Sequence, residues 1–361
     1  MKKISLIAIL ALWLGLCVAA WVLPGNEISE SERRKLQQFP EISGAALLSG
    51  DWMEDFESYT LDQFPLRDGF RRLKALVHYN LLGQKDNNGI YLVDGYAAKV
   101  EYPLNENSLK NALAKFQKLQ DKYLADSDVY FAVVPDKGYF LAEPNGYPAM
   151  DYQALTEQMA AGMPWAEFVD ISGNLTLESY YKTDTHWRQE QILNVAEDLC
   201  EALETGAFDR DEMSCEVLER PFYGVYYGQA ALPMESEEMA LLRHEILENC
   251  TVYNHENGKT TGIYDWSKLE SQDLYDVFLS GAAALLTIEN PAGDPDKELI
   301  VFRDSYGSSL IPLLVKDYAK VTVIDTRYVA SDLLDRFVDF HGQDVLMLYS
   351  TLLLNSSFSL K

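Results

Sequence analysis

Behind Lys2 and Lys3 an uncharged, almost wholly apolar run extends from Ile4 to Leu23. About twenty residues rising roughly 1.5 Å each would cross the ~30 Å hydrocarbon core as a helix, so residues 1–24 read as a signal anchor or signal peptide. Val18-Ala19-Ala20 before Trp21 offers small residues for cleavage, but the apolar run continues past it to Leu23. A retained, single-pass anchor is therefore favoured, with Lys2 and Lys3 holding its start on the cytoplasmic side. A lipid attachment through Cys17 fits poorly, because Leu16 before it is bulky. Residues 25–50 are polar and broken and read as a juxtamembrane linker. Gly50 to Asp68 then carries Trp52, Met53, Phe56, Tyr59 and Phe64 at partly helical spacing, which predicts an amphipathic helix.

Further on, Leu109, Ala112, Leu113, Phe116, Leu119 and Tyr123 recur at three- and four-residue steps and predict a helix over 107–124. Val129 to Val134 is a continuous apolar run that stops at Pro135, as in a strand covered on both faces. A helix near Tyr152 to Met163, a strand over 167–171 and a helix over 188–203 follow the same alternation. Near the other end Leu299–Phe302, Val321–Ile324 and Val345–Leu348 are short β-rich runs separated by helical segments, among them Ser308 to Tyr318. Such βαβ alternation predicts a parallel sheet flanked by helices. Residues of about 208–295 break the rhythm with aromatic, Gly-punctuated pieces and read as a β-rich insertion. The expected body is one α/β domain over 51–361 carrying that insertion.

Composition changes the picture in one respect. With 30 basic against 56 acidic residues the formal charge is −26. Such a field repels polyanions and argues against nucleic acid and anionic lipid as partners. Beyond the anchor only Cys200, Cys215 and Cys250 remain; Cys215 and Cys250 could pair in an oxidising compartment, whereas Cys200 lies on an apolar helical face.

The candidate chemistry sits at two junctions. Arg303-Asp304-Ser305-Tyr306-Gly307-Ser308 follows a buried strand and precedes a helix, where a sharp turn exposes a serine hydroxyl and helix amides lie close by. Ser305 is a candidate nucleophile there, with a helix cap as the plain structural alternative. Thr183-Asp184-Thr185-His186-Trp187 places a carboxylate two residues from one of only five histidines. An imidazole oriented by a carboxylate is what a serine base requires. Arg327 and Tyr328 at one strand end, Lys137 at another, and Trp187 and Tyr306 beside the two motifs are candidate substrate-binding residues. Asp184 and His186 as metal ligands with His244 or His255 form the competing reading, but no further cluster has ligand spacing, so neither a metal nor another cofactor is expected.

These two blocks, in this order, resemble the DHHW proteins of Gram-positive bacteria, which are similar in turn to the alginate O-acetylation proteins with SGNH-hydrolase-like domains. The resemblance extends to Asp62-Gln63-Phe64-Pro65-Leu66-Arg67-Asp68, Asn88-Gly89-Ile90-Tyr91, Val134-Pro135-Asp136-Lys137 and Phe222-Tyr223-Gly224. It implies an SGNH-like α/β fold, with Ser305 as nucleophile, His186 as base and Asp184 as its orienter. The implied activity is O-acyl, in the first place O-acetyl, transfer to a surface polysaccharide or its de-esterification outside the cell membrane, with a membrane-bound O-acyltransferase as donor partner. A polysaccharide-binding or assembly protein that keeps the fold is the alternative. The chain departs from the pattern at Thr185, the motif's second residue, where a histidine is usual, a position read as tolerant. It departs again at Ala282, where similar proteins carry Gly-Asn.

Overall fold

The computed structural model describes residues 2–29 and 31–361; Glu30 of the expected linker lies outside the described residues, as do the Lys2 and Lys3 side chains and their expected cytoplasmic placement. The chain folds as two compact units, Met1–Gly89 with Tyr227–Met234, and Ile90–Tyr226 with Glu235–Lys361.

In the first unit the apolar run forms α1 (Lys2–Val22), and its Ile4–Val22 stretch is long and apolar enough to cross a membrane. Three further helices follow: α2 (Gly44–Ser49), α3 (Asp51–Asp62) and α4 (Arg67–Leu76). The segment read as a juxtamembrane linker is tied down. It forms a short ladder, β1 (Ile28–Ser29) on β2 (Arg34–Lys35). The Gln37 N–H donates to Asp62 Oδ2 at 2.9 Å, Arg34 donates to the same oxygen at 2.8 Å, and Gln63 Nε2 donates to Asn26 O at 2.8 Å. These bonds group residues 51–89 with the anchor rather than with the α/β body, a difference that apolar spacing alone did not signal.

The second unit opens with the hairpin β3 (Ile90–Val93) and β4 (Tyr96–Lys99) and then the long helix α5 (Glu106–Tyr123). Its body is an eight-stranded sheet. Five strands run parallel in the order β13 (Tyr318–Ile324), β12 (Asp294–Arg303), β14 (Asp344–Ser350), β5 (Val129–Val134), β6 (Glu167–Phe168). On the β13 edge, β11 (Leu285–Glu289), β9 (Thr251–Asn254) and β10 (Lys259–Thr261) add on antiparallel. Much of the expected insertion is thus an extension of the main sheet; only β7 (Ser214–Val217) and β8 (Ala240–Arg243) form a separate pair. The α/β class, the largely parallel sheet and the flanking helices agree with expectation.

Alternation along the strands divides the core in two. Leu299 and Val301 of β12 point to one face with Val195, Ala196 and Leu199 of a helix over Leu193–Ala202, while Ile300 and Phe302 point to the other with Leu109, Phe116 and Leu119 of α5. The helix predicted over 188–203 starts late: Gln189 is buried with its amide donating to Ser309 O at 2.9 Å and accepting from Leu242 N at 2.8 Å, which holds a 3₁₀ turn before the helix begins. The helix predicted from Ser308 to Tyr318 is a short α turn over Gly307–Leu310 followed by a 3₁₀ turn with Pro312 near its start, because proline has no N–H to continue the ladder.

Candidate active site

Strand β12 ends at Arg303, and the chain turns sharply through Asp304 and Ser305. Asp304 holds that turn: its Oδ1 accepts from Tyr306 N at 3.0 Å, and its Oδ2 accepts from Ser350 N at 2.8 Å and Ser350 Oγ at 2.6 Å. The turn is thereby fastened to the end of the neighbouring strand β14. Buried Arg303 donates to Ser308 Oγ at 3.0 Å and to Gly281 O at 3.1 Å. That fastens it to Gly281, the last of three consecutive residues, Leu279, Ser280 and Gly281, at positive φ. Ser305 Oγ does not cap the following helix. It points elsewhere.

Its partner comes from a tight loop closed by the Tyr180–Trp187 bridge and by Tyr181 N donating to His186 O at 3.1 Å. The Ser305 hydroxyl donates to His186 Nε2 at 2.8 Å, and His186 Nδ1 lies 2.6 Å from Asp184 Oδ1. A buried carboxylate at that distance enforces the Nδ1–H tautomer, leaving Nε2 free to accept. Asp184 is held from both sides: Oδ1 also accepts from His186 N at 3.0 Å, and Oδ2 accepts from Val225 N at 2.8 Å. The imidazole stacks on the Tyr275 ring at 3.9 Å and 4°, with the Tyr306 edge 5.2 Å away. His186 keeps 7% exposure and Ser305 is half-buried, so the hydroxyl end of the array meets solvent while its carboxylate end is sealed.

A second layer fixes the loop. Glu237 accepts from the N–H groups of Lys182 and Thr183 and from Thr183 Oγ1 at 2.6, 2.7 and 2.7 Å. Gly224 N donates to Thr183 Oγ1 at 2.8 Å, and Tyr226 N to Thr183 O at 3.0 Å. A Cβ on Gly224 would stand 2.2 Å from Asp184 Cα, so only glycine permits this approach. Lys137 Nζ donates to the carbonyls of Tyr181 and Lys182 at 2.8 and 3.0 Å and lies over the Tyr226 ring. Burial brings its ammonium down to about 7 against the opposing pull of Asp184, Glu237 and Asp136.

The candidate binding residues are therefore placed unequally. Lys137 and Trp187 are buried, with Trp187 Nε1 donating to Tyr306 O and Ser309 Oγ, both at 3.0 Å; neither is available to stack on or grip a ligand. Tyr306 is likewise buried, its hydroxyl donating to Thr185 O at 2.6 Å. Short polar partners close at hand make all three supports of the loop. Arg327 is held in an ion pair by Asp325 at 2.6 and 2.9 Å, and beside it Tyr328 stays exposed. Tyr275 and Glu237 were not found from sequence; Thr183 and Gly224 fall within the motifs but carried no assigned role there.

His244 caps the helical turn over Glu245–Asn249, and His255 Nε2 contacts Thr287 Oγ1 at 2.9 Å; neither joins Asp184 and His186. The cysteines are free, Cys215 exposed and Cys250 buried, and burial pushes the Cys250 thiol up to about 11. Cavities of about 640 and 690 Å³ lie elsewhere, one lined by Ala20, Leu23 and Leu66, the other by Asp128, Glu204 and His341.

The family model described as DHHW protein matches residues 173–324, a span that contains Asp184, His186 and Ser305, and so bears out the likeness read from the two motifs. No curated protein matches the chain. Among solved structures the chain is similar to a DHHW family protein from Eubacterium siraeum DSM 15702, at 21% identity over 74% of this chain and 93% of that one, with TM-score 0.60. It is also similar to Bacillus cereus PatB1 with a sulfonyl adduct, at 15% identity over 73% and 95%, with TM-score 0.57. At such identities the likeness is one of fold.

Proposed function

We propose that this protein is a serine-dependent O-acyl transferase or esterase, acting on a polysaccharide outside the membrane in which α1 is retained as an anchor. The reading rests on the unbroken array Ser305 Oγ, His186 Nε2, His186 Nδ1, Asp184 Oδ1, whose contacts of 2.8 and 2.6 Å join motifs more than a hundred residues apart. In the first step His186 takes the hydroxyl proton as Ser305 Oγ bonds to the acyl carbon. The tetrahedral oxyanion then collapses, the old acyl–oxygen bond breaks, and the imidazolium returns its proton to the departing alkoxide. A sugar hydroxyl or water repeats the sequence in reverse on the acyl-serine. Asp184 stabilises the imidazolium, and the Ser305 N–H donates to the oxyanion. Acetyl is the acyl group proposed, supplied through a membrane-bound O-acyltransferase.

The test is turnover of p-nitrophenyl acetate by the full chain in detergent micelles. Hydrolysis that vanishes in Ser305→Ala supports the reading. No hydrolysis in the native protein, alongside saturable binding of polysaccharide, would replace it with a binding or assembly role.

A further inference from the structure

Helix α4 turns its charge inward. Arg67 pairs with Glu32 at 2.5 Å, Arg71 pairs with Glu32 at 3.2 Å and donates to Gly228 O at 2.8 Å, and Ala75 on the same stripe is buried. The opposite stripe is apolar and open: Leu66 is 77% exposed, Phe70 44% and Leu73 56%, with half-buried Val77 and open Leu81 continuing it through the turn Val77–Leu81. At three- and four-residue steps Phe70, Leu73 and Val77 fall within about 60° of one another around the helix, and Leu66 stands at its N-terminal cap. A helix facing water has the reverse arrangement.

Two observations name the occupant. Between Leu66 and Lys85 stand five basic residues, Arg67, Arg71, Arg72, Lys74 and Lys85, against Asp68 alone. Glu32 takes up Arg67 and Arg71, which leaves Arg72 and Lys74 exposed and makes this stretch locally basic, against the anionic-lipid exclusion drawn from the overall charge of −26. The end of α1 is also at hand, since Ala20 and Leu23 line the same cleft as Leu66 and Arg67, and Trp21 is exposed beside them. Exposed tryptophan at the end of an apolar helix suits the headgroup level of a bilayer.

We infer that α4 lies in the interfacial layer of the membrane where α1 emerges, with the Leu66–Phe70–Leu73 stripe among acyl chains and Arg72 and Lys74 over anionic headgroups. This attachment holds the first unit flat on the lipid surface independently of any chemistry at Ser305. To test it, the full chain with the exposed Cys17 and Cys215 replaced by alanine is reconstituted in vesicles of equimolar phosphatidylcholine and phosphatidylglycerol. Nitroxides are attached in turn at Phe70→Cys, Leu73→Cys and Asp68→Cys. Collisions with oxygen should exceed those with a water-soluble nickel chelate several-fold at the first two sites and fall below them at Asp68→Cys. Nickel dominating at all three sites would mean a water-facing helix, and protection from both reagents at Phe70→Cys and Leu73→Cys would mean a protein partner; either result overturns the inference. A melting curve checks that each variant folds, since Phe70 packs on Phe64 and Asp68 pairs with Arg67 and Arg71, and retained ester hydrolysis separates a failed attachment from a failed catalytic assignment.

Discussion

Asp184→Asn is the substitution whose outcome the geometry dictates most closely. Both carboxylate oxygens accept: Oδ1 from the His186 backbone N–H and Nδ1, Oδ2 from Val225 N. An amide has one acceptor oxygen and one NH₂ donor, so in either orientation a donor faces a donor. With the oxygen kept on Val225, the NH₂ meets Nδ1 and forces the proton to Nε2, where it points at Ser305 and the ring no longer accepts. With the oxygen kept on His186, a buried donor opposes the Val225 N–H at a cost of about 1–3 kcal/mol. The loss of tautomer control and of imidazolium stabilisation corresponds to about 10⁴ in acylation rate, or roughly 5 kcal/mol of barrier. The assay is the burst and steady turnover of p-nitrophenyl acetate by the full chain, with a melting curve to confirm that folding survives. Turnover by Asp184→Asn within about threefold of native protein would refute the argument, since an orienting carboxylate is expected to contribute far more than that.

Gly224→Ala should lose both stability and turnover, because the new Cβ lands on the Asp184 backbone; an overpacking cost of about 3 kcal/mol or more is expected, and a variant that melts and reacts like native protein would contradict it. Lys137 holds fewer protons folded than unfolded between its folded value of about 7 and the ordinary 10.5. Its contribution to stability therefore rises with pH across that window, by about 1.4 kcal/mol per pH unit relative to Lys137→Met, measured by urea unfolding at several pH values. A flat difference would sink the assignment. Thr185→Val removes the acceptor of the Tyr226 hydroxyl at 3.1 Å and should cost about 1–2 kcal/mol in unfolding free energy while leaving turnover within a few-fold.

The readable parts of this chain were those with local causes. Continuous apolar runs marked β5 and the buried stretches of β12, β13 and β14, since parallel strands covered on both faces need no alternation in sequence. The serine turn and the Asp-x-His loop were legible because each carries its chemistry within a few residues. Their supports were not. Tyr275 reaches His186, and Glu237 reaches Thr183, across long separations that no periodicity announces. Position in the sequence misled in the opposite direction: Lys137 at a strand end and Trp187 beside the Asp-x-His motif looked like ligand contacts, yet burial and backbone partners make them props for the loop. Position 185 looked tolerant, but its hydroxyl lies between those of Tyr226 and Tyr306.

Ser305 is proposed here as an activated nucleophile. Intact-mass and peptide mapping after exposure of the full chain to phenylmethanesulfonyl fluoride tests it most directly. A single sulfonyl adduct on Ser305, absent in Ser305→Ala and strongly slowed in His186→Ala, is the result the array of Ser305, His186 and Asp184 predicts. An unmodified Ser305 in the folded native protein, or labelling there that is indifferent to His186, would contradict it.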